Sequence, residues 1–383
     1  MRRSLVTALG LALALASLGA AAGSREPVRF HAPEGSPQAH AHYRDLLARG
    51  DTEEAAGLLA LIRTPHAVWL GDEGPEDTEA EARTVVRTAA RQGTVPVFVL
   101  YQIPGRDCSG YSGGGAGTTA EYRAWIDAVA RGIGPHRALV VLEPDGVALL
   151  PSDCGRDDAA GTRTEARYAE LRYAVGALER LQGVKVYLDA GHPGWHTVGA
   201  LTPRLIEAGV DRATGFAVNV SNYHTDEATT WYGKLLASCL AYATGGGDPA
   251  ACPNQRWTRA SAQAWLDEHA AALPADRLKH FVTDSSRNGR GPWSPPAGAY
   301  TDPQDWCNPP DRGAGARPTA DTGDPLHDAR LWIKTPGESD GRCLRGTSGP
   351  EDPERGAVDP AAGEWFRDQA LELVRLARPK LVR

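Results

Sequence analysis

The chain has 383 residues, of which 42% are hydrophobic and 23% charged, and a formal charge of −7. That acidity excludes a general affinity for nucleic acid or an anionic membrane surface and suits a neutral substrate. Beyond the N-terminus no stretch is long and apolar enough to span a bilayer. Residues 1–22 read as an export signal: Arg2 and Arg3 form a basic start, Leu5 to Leu18 is apolar but short, and Ala20, Ala21 and Ala22 supply small residues for cleavage. Residues 23–383 are then expected to form one domain with no linker and no appended small module. Strand-like runs follow at His66–Gly71, Thr94–Ile103, Ala138–Asp145, Val184–Asp189, Gly215–Tyr223, His280–Ser285 and Arg330–Thr335. They are short and nearly continuously apolar, as strands buried on both faces of a parallel sheet are. Helical spacing lies between them at Glu79–Gln92, Thr119–Gly132, Arg163–Gln182, Thr202–Ala208, Thr229–Ala243 and Ser261–Ala272, with a last helix over Ala361–Ala377. This alternation predicts an α/β fold with right-handed crossovers. Seven strands are one short of a closed eight-stranded barrel, so the expectation is a distorted, seven-stranded parallel β/α barrel of TIM-like kind. The segments 285–322 and 339–363 are long and rich in Gly, Pro and Asp, which marks them as functional loops.

Four aspartates stand at or beyond the ends of the apolar runs: Asp107, Asp145, Asp189 and Asp340. A barrel with acidic strand ends carries its chemistry on one rim, and paired carboxylates there point to glycoside hydrolysis. Glu143 and Asp145 are two apart, so on a strand they share a face and raise one another's pKa. A buried structural Glu beside a helix-capping Asp is the plainer reading of the same pair. Asp107 leads into Ser109–Gly117, which holds five Gly in nine residues and reads as an active-site flap or as a turn pinned by a disulfide. Asp189, His192 and Trp195 fall within seven residues and fit one sugar, polar contacts beside an aromatic platform; His192 alone reads equally as a core histidine. Asn219 and Asn222 supply amides for hydroxyl groups, or ordinary loop caps. Ten Trp residues add further candidate platforms.

Six cysteines, Cys108, Cys154, Cys239, Cys252, Cys307 and Cys343, suit a disulfide-bonded exported protein and allow fifteen full pairings. No Cys-x-x-Cys or His-Glu-x-x-His spacing occurs, so no metal and no cofactor is expected.

Taken together, Tyr-x-x-Pro-x-Arg-Asp-Cys (101–108), Leu-Glu-Pro-Asp (142–145), Tyr-Leu-Asp-Ala-Gly-His-x-Gly-Trp (187–195), Asn-Val-Ser-Asn-Tyr (219–223), Asp-x-x-Arg-Asn-Gly (284–289), Trp-Cys-Asn (306–308) and Lys-x-Pro-Gly-Glu-Ser-Asp-Gly (334–341) resemble the cellulases of glycoside hydrolase family 6. The resemblance runs from about Trp69 to Phe366. It implies a distorted seven-stranded β/α barrel that cleaves β-1,4-glucan with inversion. By position Asp145 matches the general acid, Asp107 the carboxylate that modulates that acid and helps place the water, and Asp340 the residue proposed as base. Asp189 matches an aspartate of the binding cleft and Tyr101 the tyrosine near the distorted sugar. Trp69, His192, Trp195, Trp306, Lys334 and Glu338 fall at substrate-binding positions. The same resemblance implies the disulfides Cys108–Cys154 and Cys307–Cys343, which leaves Cys239–Cys252.

The expected partner is a β-1,4-glucan, met outside the cell by a monomer. Segments 224–278 and 344–363 are longer than in compact open-cleft members, while Cys343 follows Asp340 by three residues as it does in the open-cleft type. An endo-acting enzyme is the expectation. A tunnel-type cellobiohydrolase is the alternative within the family, and a non-catalytic glucan-binding protein or a hydrolase of mixed-linkage glucan the alternatives outside it.

Overall fold

The computed structural model describes residues 28–382 apart from 271, 272 and 274; the expected export signal, residues 1–22, lies outside them. Seven strands form one parallel sheet in sequence order: β1 (Val68–Leu70), β2 (Val97–Leu100), β3 (Ala138–Leu142), β4 (Val184–Asp189), β5 (Gly215–Val218), β6 (His280–Asp284) and β7 (His327–Leu331). Each is four to six residues long apart from the three-residue β1. Successive strands pair in parallel and the sheet curls into a half-barrel. Gly215 is required where β5 meets β6, because a Cβ there would lie 1.8 Å from the His280 carbonyl oxygen.

Alternation along the strands divides the core. Val97, Val99, Val141, Tyr187, Ala217, Val282, Ala329 and Leu331 fill the inside of the curl. Phe98, Leu100, Val140, Leu142, Val186, Leu188, Phe216, Val218 and Phe281 point outward. They meet the crossover helices α3 (Pro75–Gln92), α4 (Thr119–Ile133), α5 (Thr162–Leu178), α6 (Val198–Glu207), α7 (Asp226–Thr244) and α8 (Arg259–Ala270). Thr118 and Glu121 close a capping box at the start of α4, which satisfies donors that the first turn leaves free. Phe281 stacks between Phe216 and His327, with ring centroids 5.8 and 4.8 Å away. Truncation to Ala at such a site costs about 3–5 kcal/mol.

The sequence pattern omitted two helices, α1 (Pro37–Arg49) and α2 (Thr52–Arg63). They pack with the last helix, α9 (Arg367–Arg375), around Trp332 and close a second core. That core lies against the gap between the first and last strands. There Ala67 N–H donates to the Trp332 carbonyl at 2.9 Å and Trp69 Nε1–H to the Ile333 carbonyl at 2.8 Å, in place of a ladder. The last strand sits earlier than the apolar run implied, at His327–Leu331, not Arg330–Thr335. Its polar His327, Asp328 and Arg330 mask it, and a register shift between Phe281 and Val282 accommodates the pairing.

Candidate active site

Parallel strands that all run one way deliver their C-terminal residues to one rim, and the ligand cleft lies there. A cavity of about 440 Å³ is lined by Trp69 of β1 and by residues in the segments that follow the strands, among them Tyr101, Asp107, Asp145, His192, Trp195, Asn222, Trp306, Lys334 and Asp340. All ten are residues singled out from the sequence. Ser112, Pro144, Leu149, Gly191, Gly194, Val220, Ser221 and Asp305 complete the lining. Ser112 and Asp305 carried no distinguishing pattern, whereas Ser221 stood in the quoted Asn-Val-Ser-Asn-Tyr segment without a role.

The rim backbone is strained. Asp107, Cys108, Glu143, Asp145, Asn219, Ser221 and Asn308 have φ between 37° and 73° although none is glycine. Such conformations cost about 1–3 kcal/mol each and gather at functional sites. They also overturn one expectation. Glu143 has φ 51°, which ends the strand alternation, so Glu143 and Asp145 do not share a face. Glu143 is fully buried, where it accepts the backbone N–H of Gln102 and of Ile103 at 3.0 Å. Burial pushes its carboxyl up to about 7. It is a structural acid beneath Tyr101, and Asp145 alone reaches the cleft.

The acidic neighbours of Asp145 are Asp189 and Asp107. Burial, then the charge of Asp189, then that of Asp107, raise the Asp145 carboxyl well above the usual range. Asp189 is buried beside the cleft without lining it. Its Oδ2 accepts the Asp145 backbone N–H at 2.9 Å, and its Oδ1 has no partner among the described residues. Burial raises Asp189 as well, so the pair keeps a proton where lone carboxylates would have lost theirs. Asp107 is raised more modestly, first by burial, with the Ser112 N–H at 2.8 Å and the charge of Arg106 opposing.

Asp340 contrasts with these. Its Oδ2 accepts Arg287 Nη1 at 2.8 Å, the Asn308 N–H at 3.0 Å and the Tyr223 hydroxyl at 3.2 Å, and Lys334 Nζ stands 3.7 Å from Oδ1. Burial alone would raise its pKa, but Arg287 and then Lys334 hold it below the ordinary value. Arg287 and Asn308 lie in motifs quoted from the sequence, yet nothing in the sequence alone marked them as partners of Asp340.

The aromatic and basic residues take definite places. Trp69 and Tyr101 meet edge to face at 5.6 Å, and Arg106 lies over the Tyr101 ring. Tyr101 is kept a neutral phenol by burial and by Asp145 and Asp107. His192 accepts the Gly194 N–H at Nδ1 and stacks on His224; burial, then the neighbouring His224 and His196, lower its pKa to about 3, so it is an uncharged ring. Trp306 is exposed at the cleft. Two candidates besides Asp189 do not reach the cleft lining. Asn219 is buried, and its amide donates to the carbonyls of Asp284 (2.9 Å) and His224 (3.2 Å), so it shapes the turn that carries Ser221 and Asn222. Glu338 is raised by burial against the charge of Lys334, behind the rim.

The disulfides are Cys108–Cys154, Cys239–Cys252 and Cys307–Cys343. The first pins the Asp107 loop and the third pins the Asp340 loop to Trp306. Cys343, Asp352 and Asp359 cluster closely enough to suggest a metal, but Cys343 is disulfide-bonded and Asp352 is paired with Arg345, so they are not a free ligand set.

The profile of the glycosyl hydrolases family 6 matches residues 26–377. Endoglucanase A of Cellulomonas fimi is 35% identical over 88% of this chain and 59% of its own length; endoglucanase A of Thermobispora bispora is 32% identical over 83% and 56%. The chain thus spans less than two thirds of the length of these relatives. A protein named "Probable 1,4-beta-D-glucan cellobiohydrolase C" from Aspergillus fumigatus is 31% identical over 84% of the chain and 70% of its own length. The structure of the endoglucanase Cel6 from Mycobacterium tuberculosis, solved with methyl-cellobiosyl-4-deoxy-4-thio-β-D-cellobioside, superposes with a TM-score of 0.69 at 34% identity, covering 92% of this chain and 98% of that one. The seven-stranded half-barrel, the acidic rim and these matches lead to one assignment: the chain belongs to the glycosyl hydrolases family 6.

Proposed function

We propose that the protein is an exported cellulase that cuts β-1,4-glucan internally by a single, inverting displacement. The observation that carries the reading is the contrast among the rim carboxylates: Asp145 is held protonated in the cleft while Asp340 is held ionised a few side chains away. Carboxyl groups pushed apart in pKa let one serve as the proton donor while the other stays charged through the reaction. The three disulfides favour an oxidising compartment.

Asp145 gives its proton to the glycosidic oxygen as the bond to the anomeric carbon breaks. A water attacks that carbon from the opposite face and loses a proton. Inverting enzymes leave room for this water by keeping the two carboxyl groups roughly 6.5–9.5 Å apart. Asp340 is a poor acceptor for that proton, because its Oδ2 already takes three donors and its pKa is depressed. Asp107, whose carboxyl burial makes more basic, takes that proton, and the Ser112 N–H holds its carboxylate in place. Asp340 supplies fixed negative charge near the developing oxocarbenium ion. Trp69, Trp195 and Trp306 hold successive sugars, and Tyr101 stands as a neutral phenol beneath the reacting one.

Internal cutting is favoured by the lining of the cleft, to which, among the described residues, neither 224–278 nor 344–363 contributes. Most of 224–278 is spent on α7 and α8. The contact of the flap residue Tyr111 with Leu344 favours the second reading, a cellobiohydrolase with a covered cleft. Viscosity and reducing ends followed together on carboxymethyl cellulose separate the two, since internal cuts lower viscosity before many ends appear. Proton NMR of early cellopentaose digests tests the stereochemistry; a β-anomer as first product rules out a single displacement.

A further inference from the structure

Among the described residues only five large apolar side chains are exposed, and two of them are tryptophans, Trp257 and Trp306, 41% and 40% exposed. Trp306 lines the cleft. Trp257 has no place in the site described above. An indole of which 41% is exposed keeps an aromatic face free to stack on a ligand.

The position of Trp257 is built, and it lies beside the cleft. After α7 the chain turns back through Pro249–Ala251, where the Pro249 carbonyl oxygen lies against Gly199 at the start of α6. Cys239–Cys252 ties this excursion to α7. Gln255 Nε2 then donates to two carbonyls at once, Pro193 and His196, each at 2.9 Å. Those two residues bracket Gly194 and Trp195, both of which line the cleft. Trp257 follows Gln255 by two residues, within about 7 Å of chain. Its own backbone closes a turn onto Asn254 (3.0 Å). On its other side Arg259 lies 4.2 Å over the Trp231 ring and pairs with Glu227 at the top of α7. The stretch 256–260 is exposed throughout. The indole is therefore offered to solvent from a turn held at one end to the cleft wall carrying Trp195 and at the other to α7.

We propose that Trp257 is an accessory sugar platform: it extends the cleft beyond Trp195 and takes one glucose unit of a longer β-1,4-glucan chain by stacking on its apolar face. A neutral, repeating polymer is the occupant that fits, because on the glucanase reading it fills the adjoining cleft and its sugars present an apolar face to an indole, while Arg259 is already paired with Glu227. The proposal rests on the glucanase reading above. It makes Trp257 a determinant of chain-length preference that does not touch the reacting sugar.

The test compares Trp257→Ala and Trp257→Phe with the unaltered protein on cellotriose, cellotetraose and cellohexaose. For Trp257→Ala, kcat/KM on cellohexaose is expected to fall about three- to tenfold, the range for losing one aromatic stacking contact. Values on cellotriose should be unchanged, and Trp257→Phe should restore most of the loss. Calorimetry with cellohexaose in the Asp145→Asn background should show the same loss of affinity without turnover. Equal losses on short and long oligosaccharides, or none on either, overturn the platform while leaving the glucanase reading intact. Absence of activity on all three oligosaccharides in the unaltered protein overturns the glucanase reading, and the proposal falls with it. Thermal melting of Trp257→Ala, which should match the parent, identifies any loss that comes from unfolding.

Discussion

Asn308 and Asp340 hold each other by two reciprocal bonds: the Asn308 N–H donates to Asp340 Oδ2 at 3.0 Å, and the Asp340 N–H donates to Asn308 Oδ1 at 2.8 Å. The Asn308 amide also donates to Asp359 Oδ2, to Ser339 Oγ and to the Gly341 carbonyl, each at 2.9 Å. One buried amide thus fixes the carboxylate of the rim to the loop 344–363. Asn308→Ala removes the acceptor and these donors while sparing the fold's strands. It is expected to lower kcat at least about tenfold and to destabilise the protein by at least about 1–3 kcal/mol, the cost of buried polar groups left unpaired, to which the strain of alanine at φ 37° adds. Steady-state kinetics on cellotetraose and denaturant unfolding check both halves.

Asp145→Asn keeps the side-chain shape and removes the acid. Turnover of unactivated cello-oligosaccharides should fall at least about a hundredfold, the lower reach of general acid catalysis, with binding retained in calorimetry. Near-parental turnover would exclude Asp145 as the acid.

The same variant makes a stability prediction. The folded Asp145 carboxyl is raised above its unfolded value, so its contribution to stability is fully present below the unfolded pKa and is lost as pH rises through the folded one. Asparagine has no such loss. Asp145→Asn should melt with the parent at acidic pH and about 2 °C or more above it at alkaline pH. A Tm difference that does not grow with pH would show that the carboxyl is not strained in this way.

The alkaline limb of kcat/KM should follow Asp145, and Asp189 should set where it lies. Asp189→Asn keeps an acceptor for the Asp145 N–H but removes a charge that raises Asp145. Its alkaline limb should move to lower pH. Asp340 behaves oppositely: its pKa is depressed, so it stays ionised until pH falls below the ordinary carboxylate range.

The flap bears on activity through Tyr111. Its hydroxyl donates to Gln304 Oε1 at 3.2 Å and accepts the Leu344 N–H at 3.1 Å, and its ring lies 6.1 Å from Trp306. Gly341 is needed for this approach, since a Cβ there would sit 2.5 Å from Tyr111 Cβ. Tyr111→Phe should speed hydrogen exchange over 110–116 and lower kcat about fivefold, with Tm little changed, as for a half-buried hydroxyl worth about 1 kcal/mol.

The acidic rim was legible because a parallel sheet leaves its last residues at one edge, which marks Asp145 and Asp189; Asp107 and Asp340 lie in the loops after β2 and β7, and the quoted motifs brought them in. What the pattern missed has particular causes. Glu143 and Asn219 follow strands closely enough to seem rim residues, but their left-handed backbone turns the side chains into the interior. β7 hid behind His327, Asp328 and Arg330. α1 and α2 cover the gap between β1 and β7, so no β/α repeat assigns them a slot. The partnership of Arg287 with Asp340 joins residues 53 apart in sequence, a contact that depends on the curl of the sheet.

The left-handed residues of the rim also limit how this site can change. At Asp145 (φ 65°), Asn219 (φ 73°) and Asn308 (φ 37°) the backbone itself favours Asp, Asn or Gly over branched side chains. Random mutagenesis at these positions therefore draws on a narrow alphabet before chemistry is asked for anything, and alanine scanning there mixes conformational cost with functional loss. Variation in substrate preference has freer ground where the backbone is relaxed and the side chain points outward, above all in the turn that carries Trp257.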